Sequence, residues 1–423
     1  MNPILPIDIF VPDAEARQWK DGRMYIYGSY DLSGDTTYCS YKYHVYSSSN
    51  LIDWTDHGVS FSSLGENGDI PWSKDVLYAP DCIYKDGKYY LYFCMSGNSE
   101  GVAISSSPQG PFKDSVKVEI ADGDSIDPSI FIDDDGKIYY YWGQFNLRAA
   151  MLMDDMHTII PGTINRDLIN EKDHGFHEGA SVRKHNGTYY LVYTDISRGK
   201  ATCFGYATSK SPLGPFTKRG IIIDNDGCDN KSWNNHGSIA EFNGKWFVFY
   251  HRSSQSSNFS RRVCVEPITF LEDGTIPEVE MTTQGVSAPL NVITNMDASR
   301  ACLLSGQVRT AQIKINDFNT EFLTIIENNN WACYKYFDFS QNVTNFVAYA
   351  GCEGIGGTIE VRLDTANGQL IGTCDISNTA GWLNWQKFSG KISTHVSGIH
   401  AVFLVFKGKS GRLFDLLSFN WEA

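Results

Sequence analysis

Five times along the chain an Asp-Gly or Asn-Gly dipeptide runs straight into an aromatic-rich stretch. The copies are DGRMYIYGS from Asp21, DGKYYLYFC from Asp86, DGKIYYYWG from Asp135, NGTYYLVYT from Asn186 and NGKWFVFYH from Asn243. Such a dipeptide between two strand-like runs is the strongest short-range hairpin signal, because both residues accept positive φ. The repeat glycines, Gly22, Gly87, Gly136, Gly187 and Gly244, lie 49 to 65 residues apart. One four-stranded propeller blade takes about 40–50 residues, and loop insertions lengthen the interval. Long amphipathic helical periodicity is almost absent. The pattern predicts an all-β chain with a five-bladed β-propeller. The alternative is five unrelated hairpins in a sandwich.

The residues upstream of each turn favour the propeller. Asp13, Asp127 and Glu178 each stand nine residues before their glycine; Asp81 stands six before Gly87 and His236 eight before Gly244. In a propeller the innermost strand of every blade enters the central channel from the same end. Equivalent positions therefore converge on the axis, however remote they are in sequence. Three carboxylates at one offset are predicted neighbours.

Three such carboxylates suit glycoside hydrolysis. One carboxyl group protonates the leaving oxygen and another activates water or attacks. A third, by like-charge repulsion, keeps the acid protonated near neutral pH. The bulk properties agree. A net charge of −14 argues against nucleic acid or an anionic membrane as partner and is compatible with a neutral sugar. The aromatic content of 13% favours strands. The ten cysteines are scattered, with no C-x-x-C pair, and read as reduced, buried small hydrophobes. No apolar run reaches the ~18 residues of a spanning helix, and MNPILPIDIF lacks the features of a signal peptide. Cytoplasmic work on imported oligosaccharides is the expectation.

The blocks YAPDCIYKDGKYYLYF, IDPSIFIDDDGKIYYYWG, HEGASVRKHNGTYYLVYT and NNHGSIAEFNGKWFVFYH resemble glycoside hydrolase family 43 over about residues 1–290. Members of that family are five-bladed propellers that remove arabinofuranose or xylose from plant polysaccharides with inversion. The resemblance implies Asp13 as general base, Asp127 as the residue that orients the acid and raises its pKa, and Glu178 as general acid. It places His236 on the axis, beside a structural calcium ion held mainly through water, and implies no cofactor for the chemistry itself. Glu15, two residues beyond Asp13 and on the same face of a strand, is a rival base. Two departures stand out: Asp13-Ala14-Glu15 replaces the usual Asp-Pro-Ser, and Glu178-Gly179-Ala180-Ser181 lacks a common proline and histidine. Asp81 is a candidate for bonding sugar hydroxyls, or for capping its own turn. Tyr78 stands where relatives carry an aromatic that stacks on a sugar. Of the adjacent Arg261 and Arg262 only one can face inward, and Arg262 is expected to be that one.

From about residue 301 the repeat stops. Short alternating runs such as WACYKYFDF, GTIEVRLD and HAVFLVFKG suggest a β-sandwich, giving a propeller over 1–300 and a jelly-roll sandwich over 301–423. ENNNWACYKYFDFS, GGTIEVRLDTANGQLIGTCDI and TAGWLNWQKFSGKI resemble a family 6 carbohydrate-binding module. Trp331, Tyr334, Trp382 and Trp385 are its candidate sugar-stacking residues. Leu413-Phe414-Asp415 lacks an asparagine that bonds the ligand in relatives.

The expected activity is an inverting, exo-acting release of α-L-arabinofuranose from arabinoxylan or its oligosaccharides. β-D-Xylosidase or bifunctional activity is the alternative. A retaining fructan-acting propeller, with Arg-Asp-Pro and Glu-Cys blocks, fits Ile126-Asp127-Pro128 and Glu178-Gly179 poorly. A non-catalytic sugar-binding propeller would not need three carboxylates.

Overall fold

The computed structural model describes residues 1–64, 69–120, 125–315 and 318–423. Among these, the only α-helix is a single turn, Glu171–His174. Everything else regular is β, apart from one 3-10 turn at Ala298–Arg300.

Five antiparallel sheets follow one another along the chain, each with its strands in sequence order. Their first strands are Glu15–Gln18, Asp81–Lys85, Ser129–Ile132, Phe176–His185 and Ser238–Phe242. Four sheets have four strands and the fifth has three. Every repeated dipeptide joins the first strand of a sheet to its second. At Asp86-Gly87, Asn186-Gly187 and Asn243-Gly244 both residues have positive φ, as a two-residue type I′ turn requires. At the other two copies only Gly22 and Gly136 do, each at φ 80°. Those loops are longer, closed by the Gly22 amide on the Trp19 carbonyl (3.0 Å) and the Gly136 amide on the Asp133 carbonyl (2.9 Å).

The second strands explain why aromatics run consecutively instead of alternating with polar residues. Successive side chains of a strand point to opposite faces, and here both faces are buried. Tyr139 and Tyr141 pack toward Tyr189 and Leu191 of the fourth sheet. Tyr140 and Trp142, between and beyond them, pack toward Tyr92 and Val102 of the second. Apolar clusters fill the space between each sheet and the next. A fifth cluster joins Phe247 and Phe249 of the last sheet to Ala16 and Ile26 of the first, closing the circle. The first strands meet at its centre: the Ala16 amide donates to Ser238 Oγ (2.9 Å), and the Ile130 amide to Asp81 Oδ2 (2.8 Å).

The remaining chain forms two six-stranded sheets over one core that includes Phe337, Phe346, Ile359, Leu404, Phe419 and Trp421. Their pairings begin with Leu290–Asn291 and Met296–Asp297. This unit is welded to the first by an apolar cluster containing Tyr250 and Cys264 on one side and Cys333, Phe403 and Val405 on the other.

Candidate active site

Asp13, Asp127 and Glu178 line one pocket of about 240 Å³ at the end of the circle where the first strands begin. Asp13 and Asp127 both adopt left-handed backbone, with φ 57° and 53°. Each costs on the order of 1 kcal/mol, a strain that recurs at functional sites. The same offset from the turn thus carries the same backbone kink in two sheets.

Asp13 is buried. Its Oδ2 accepts from Ser29 Oγ (2.6 Å); its Oδ1 accepts from Arg261 Nη1 (3.1 Å) and lies 3.5 Å from His251 Nδ1 and 3.6 Å from His236 Nδ1. Burial by itself would raise its pKa. The Arg261 charge, helped by the two imidazoles and Ser29, outweighs burial and leaves Asp13 below the usual carboxylate range. Asp127 goes the other way. Burial, then the negative charges of Glu178 and Asp13, push it well above that range. Its one compensating bond comes from the Gly179 amide. Glu178 is only half-buried and is held by side-chain amides: Gln144 Nε2 donates to Oε2 (2.8 Å) and Asn234 Nδ2 to Oε1 (3.3 Å). Asp13 is therefore favoured in its ionised form and Asp127 in its protonated form. Gly179 is demanded here. Its φ is +67°, and a Cβ would sit 2.7 Å from the His236 ring.

Several expectations need correcting. Arg261, not Arg262, faces the pocket. Arg261 is clamped by Asp31, with Nε on Oδ2 and Nη2 on Oδ1, each at 2.9 Å, and Arg262 leaves the other face of the strand to pair with Glu321. Asp81 does not reach the pocket. It is wholly buried under a bidentate pair with Arg17 (Nη2 at 2.8 Å from both oxygens). Its offset of six rather than nine residues puts it one step down the channel, and the residue nine before Gly87 is Tyr78, which does line the pocket. Glu15 also lies outside the pocket lining, bound to Arg183 Nη2 at 2.7 Å.

His236 stands between the carboxylates, 4.0 Å from Asp127 Oδ2, and burial lowers its pKa despite the neighbouring Asp13. Calcium prefers six to eight oxygens, and among the described residues no group of three His, Cys, Asp or Glu could hold a metal. The donor set at His236 does not fit a protein-held calcium, and His236 reads as a close neighbour of the acids, 3.6 Å from Asp13 and 4.0 Å from Asp127.

Tyr38, Gln144, His177, Trp233 and Asn234 also line the pocket and escaped the sequence reading. Tyr38 lies under the Arg261 guanidinium, 4.8 Å away. His177 meets Phe145 and Trp233 edge-on, with ring centroids 5.2 and 6.3 Å away, and its Nδ1 is 2.8 Å from Glu171 Oε2. His177, next to Glu178, and Asn234, two residues before His236, were within reach of the offset argument. Gln144 carried no signal at all.

The four aromatics of the C-terminal unit do not form one site. Tyr334 is fully buried, its hydroxyl on the Ala298 carbonyl (2.7 Å) and its ring against Phe419. Trp331 packs on Phe403 in the cluster between the two units. Trp385 leans on Phe322 at 5.2 Å. Trp382 alone is near the loops, and the Arg412 guanidinium, tied to Asp415, covers its ring at 4.0 Å.

A pocket lined by three carboxylates, with Asp13 favoured ionised and Asp127 favoured protonated, has the groups that acid–base hydrolysis needs. Comparison with known proteins gives the bond. The profile of glycosyl hydrolases family 43 matches residues 1–276, and that of the family 6 carbohydrate-binding module matches residues 302–423. The chain belongs to glycosyl hydrolases family 43 and is a glycosidase with a carbohydrate substrate. A xylosidase/arabinosidase of Thermoclostridium stercorarium is 30% identical over 96% of each chain. An arabinoxylan arabinofuranohydrolase of Bacillus subtilis is also 30% identical, covering 93% of this chain and 87% of its own. Among solved structures, the family 43 arabinoxylan arabinofuranohydrolase from Bacillus subtilis superposes with a TM-score of 0.58 at 28% identity, over 99% of this chain and 97% of that one. A β-xylosidase/α-arabinofuranosidase from a compost metagenome gives 0.57 at 35% identity, over 66% and 97%.

Proposed function

We propose that this protein releases α-L-arabinofuranose from arabinoxylan or its oligosaccharides, with inversion and from chain termini or side branches. Glu178 protonates the glycosidic oxygen, Asp13 takes a proton from the attacking water on the opposite face of the sugar, and Asp127 orients Glu178 and modulates its acidity. The observation that carries this reading is the opposed electrostatics of Asp13 and Asp127 in one pocket. Glu178, the most open of the three and steadied by Gln144 and Asn234, is the one able to follow the leaving oxygen. Trp233, His177 and Phe145 flank it on the leaving-group side. Tyr78 and Tyr38 supply aromatic surface for the sugar. The small volume supports action on a terminal or branch sugar: drug-sized ligands take ~300–1,000 Å³, and about 240 Å³ suits one pentose. Two-carboxylate hydrolysis is complete without a cofactor. A calcium ion beside His236 would be held by water.

The relatives' names also include β-xylosidase, so xyloside turnover is the second reading. The five sheets, closed by the apolar cluster between last and first, are read as a five-bladed propeller, and the two six-stranded sheets as a jelly-roll sandwich; because Leu290–Asn291 and Met296–Asp297 already pair in the latter, the boundary expected between 300 and 301 moves to before Leu290. Ten buried cysteines, none disulfide-bonded, support work in a reducing cytoplasm.

The test is hydrolysis of p-nitrophenyl α-L-arabinofuranoside against the β-D-xylopyranoside, with Asp13→Asn and Glu178→Gln alongside. Arabinoside turnover lost in both variants, with Glu178→Gln still binding sugar, is expected. Proton NMR of the first-formed anomer reads inversion. Preference for the xyloside moves the substrate but not the mechanism. Undiminished turnover by Asp13→Asn removes Asp13 as base.

A further inference from the structure

Arg261 and Arg262 are neighbours on the strand Ser257–Ile268 and leave it on opposite faces. Arg261 points inward to Asp13 and Asp31. Arg262 points into the C-terminal unit, where Nη1 meets Glu321 Oε2 at 2.7 Å and Nη2 meets Oε1 at 2.6 Å. Both partners are buried. The same Nη2 donates to the Ile7 carbonyl (2.6 Å), which also accepts from Gln312 Nε2 (2.6 Å). The Arg262 guanidinium lies over the Phe10 ring, 4.6 Å from its centroid. Ile7 and Phe10 are six and three residues ahead of Asp13.

One buried cluster, supplied by Glu321 and Gln312 of the C-terminal unit, therefore grips two segments of the first unit. One leads into Asp13. The other carries the arginine that bonds it. We infer that Glu321 is a positioning residue for the glycosidase site: through Arg262 it fixes the strand that aims Arg261 at Asp13, and with Gln312 it fixes the lead-in to Asp13. The C-terminal unit is then part of the hydrolytic apparatus, whatever sugar it binds. A bidentate buried pair sets geometry strictly, and loss of one partner leaves a buried charge that pulls the other out of place. The inference rests on Asp13 being the base. The groups that face Asp13 are Ser29, Arg261, His236 and His251, with Asp31 behind Arg261 and Asp127 across His236. None belongs to the C-terminal unit, so any effect of Glu321 on Asp13 must travel through Arg262 and its strand or through Gln312 and the Ile7 lead-in.

The test compares full-length Glu321→Gln, Gln312→Ala, the double variant Arg262→Met with Glu321→Met, and Lys387→Ala, an exposed control on the same unit. kcat and KM are measured against pH with p-nitrophenyl α-L-arabinofuranoside, or the xyloside if that is the better substrate, with thermal unfolding alongside. Positioning through such a network predicts a loss in kcat of about 2- to 30-fold for Glu321→Gln, little change in KM, and an acidic limb moved to higher pH. Gln312→Ala moves the same way by less, and serves if Glu321→Gln fails to fold. The apolar double variant, which leaves no unpaired charge, recovers much of kcat. Lys387→Ala matches wild type. A lower Tm with wild-type kcat and acidic limb would reduce Glu321 to a structural contact and overturn the inference. Asp13→Asn, run in parallel, separates the two failures: if it is inactive while Glu321→Gln behaves as wild type, only the inference falls.

Discussion

Replacing Arg261 by Met tests the electrostatic core of the site. In the native protein Asp13 is buried, and burial alone would favour its neutral form. Arg261, 3.1 Å away, is the foremost charge that reverses this. An opposite charge at such range lowers a carboxylate pKa by about 1–3 units, worth about 1.4–4 kcal/mol. His236 and His251 cannot take over, because burial lowers both, His251 to about 3. In Arg261→Met the pKa of Asp13 therefore rises. A base acts in its ionised form, so kcat/KM falls on the acid side as protons occupy it. The wild-type protein keeps Asp13 ionised at pH 5. The variant should lose tenfold or more in kcat/KM between pH 7 and pH 5 beyond any wild-type change. Asp31 is left unpaired as well, and breaking a buried pair costs about 3–5 kcal/mol, so folding must be checked by thermal unfolding at each pH. Arg261→Lys keeps the charge and should keep most of the wild-type limb. Superimposable acidic limbs for wild type and a folded Arg261→Met would refute the account.

Three further outcomes are expected. Gly179→Ala should lose at least tenfold in kcat, since its Cβ would press on His236 2.7 Å away and its φ is +67°; wild-type turnover would show that the Glu178 backbone tolerates the shift. Glu100 is fully buried and pushed up to about 8 by burial, against one bond from Tyr140. Its raised pKa favours folding at low pH, and that contribution disappears as pH rises through 8, a span of about 5 kcal/mol. Glu100→Gln should accordingly show a flatter fall of Tm between pH 5 and 8; parallel curves would contradict it. Trp233→Ala should raise KM for arabinoxylan oligosaccharides about 2- to 10-fold, the worth of an aromatic contact, because the exposed ring lines the pocket beside His177; unchanged kinetics would place it outside the substrate path.

Repetition made much of this protein readable. Five Asp/Asn-Gly turns, each followed by consecutive aromatics, specify five hairpins whose second strands are buried on both faces, because φ tolerance and side-chain alternation are local properties. The shared offset from turn to carboxylate is what brings Asp13, Asp127 and Glu178 to one pocket. Where the offset broke, so did the reading: Asp81, three residues further along, is an ion-pair partner of Arg17. Strand alternation showed that only one of Arg261 and Arg262 could face inward, yet nothing local said which. That depended on where the strand begins relative to the channel and on the C-terminal unit placing Glu321 against the other face. Gln144, Trp233 and the Arg412 cover on Trp382 were invisible for the same reason. The sequence by itself determined the hairpins, their repetition and the ring of acids, because each follows from a few neighbouring residues. Which acid is ionised, which arginine holds it and which aromatics stay open are properties of contacts between distant segments, and only the tertiary structure decided them.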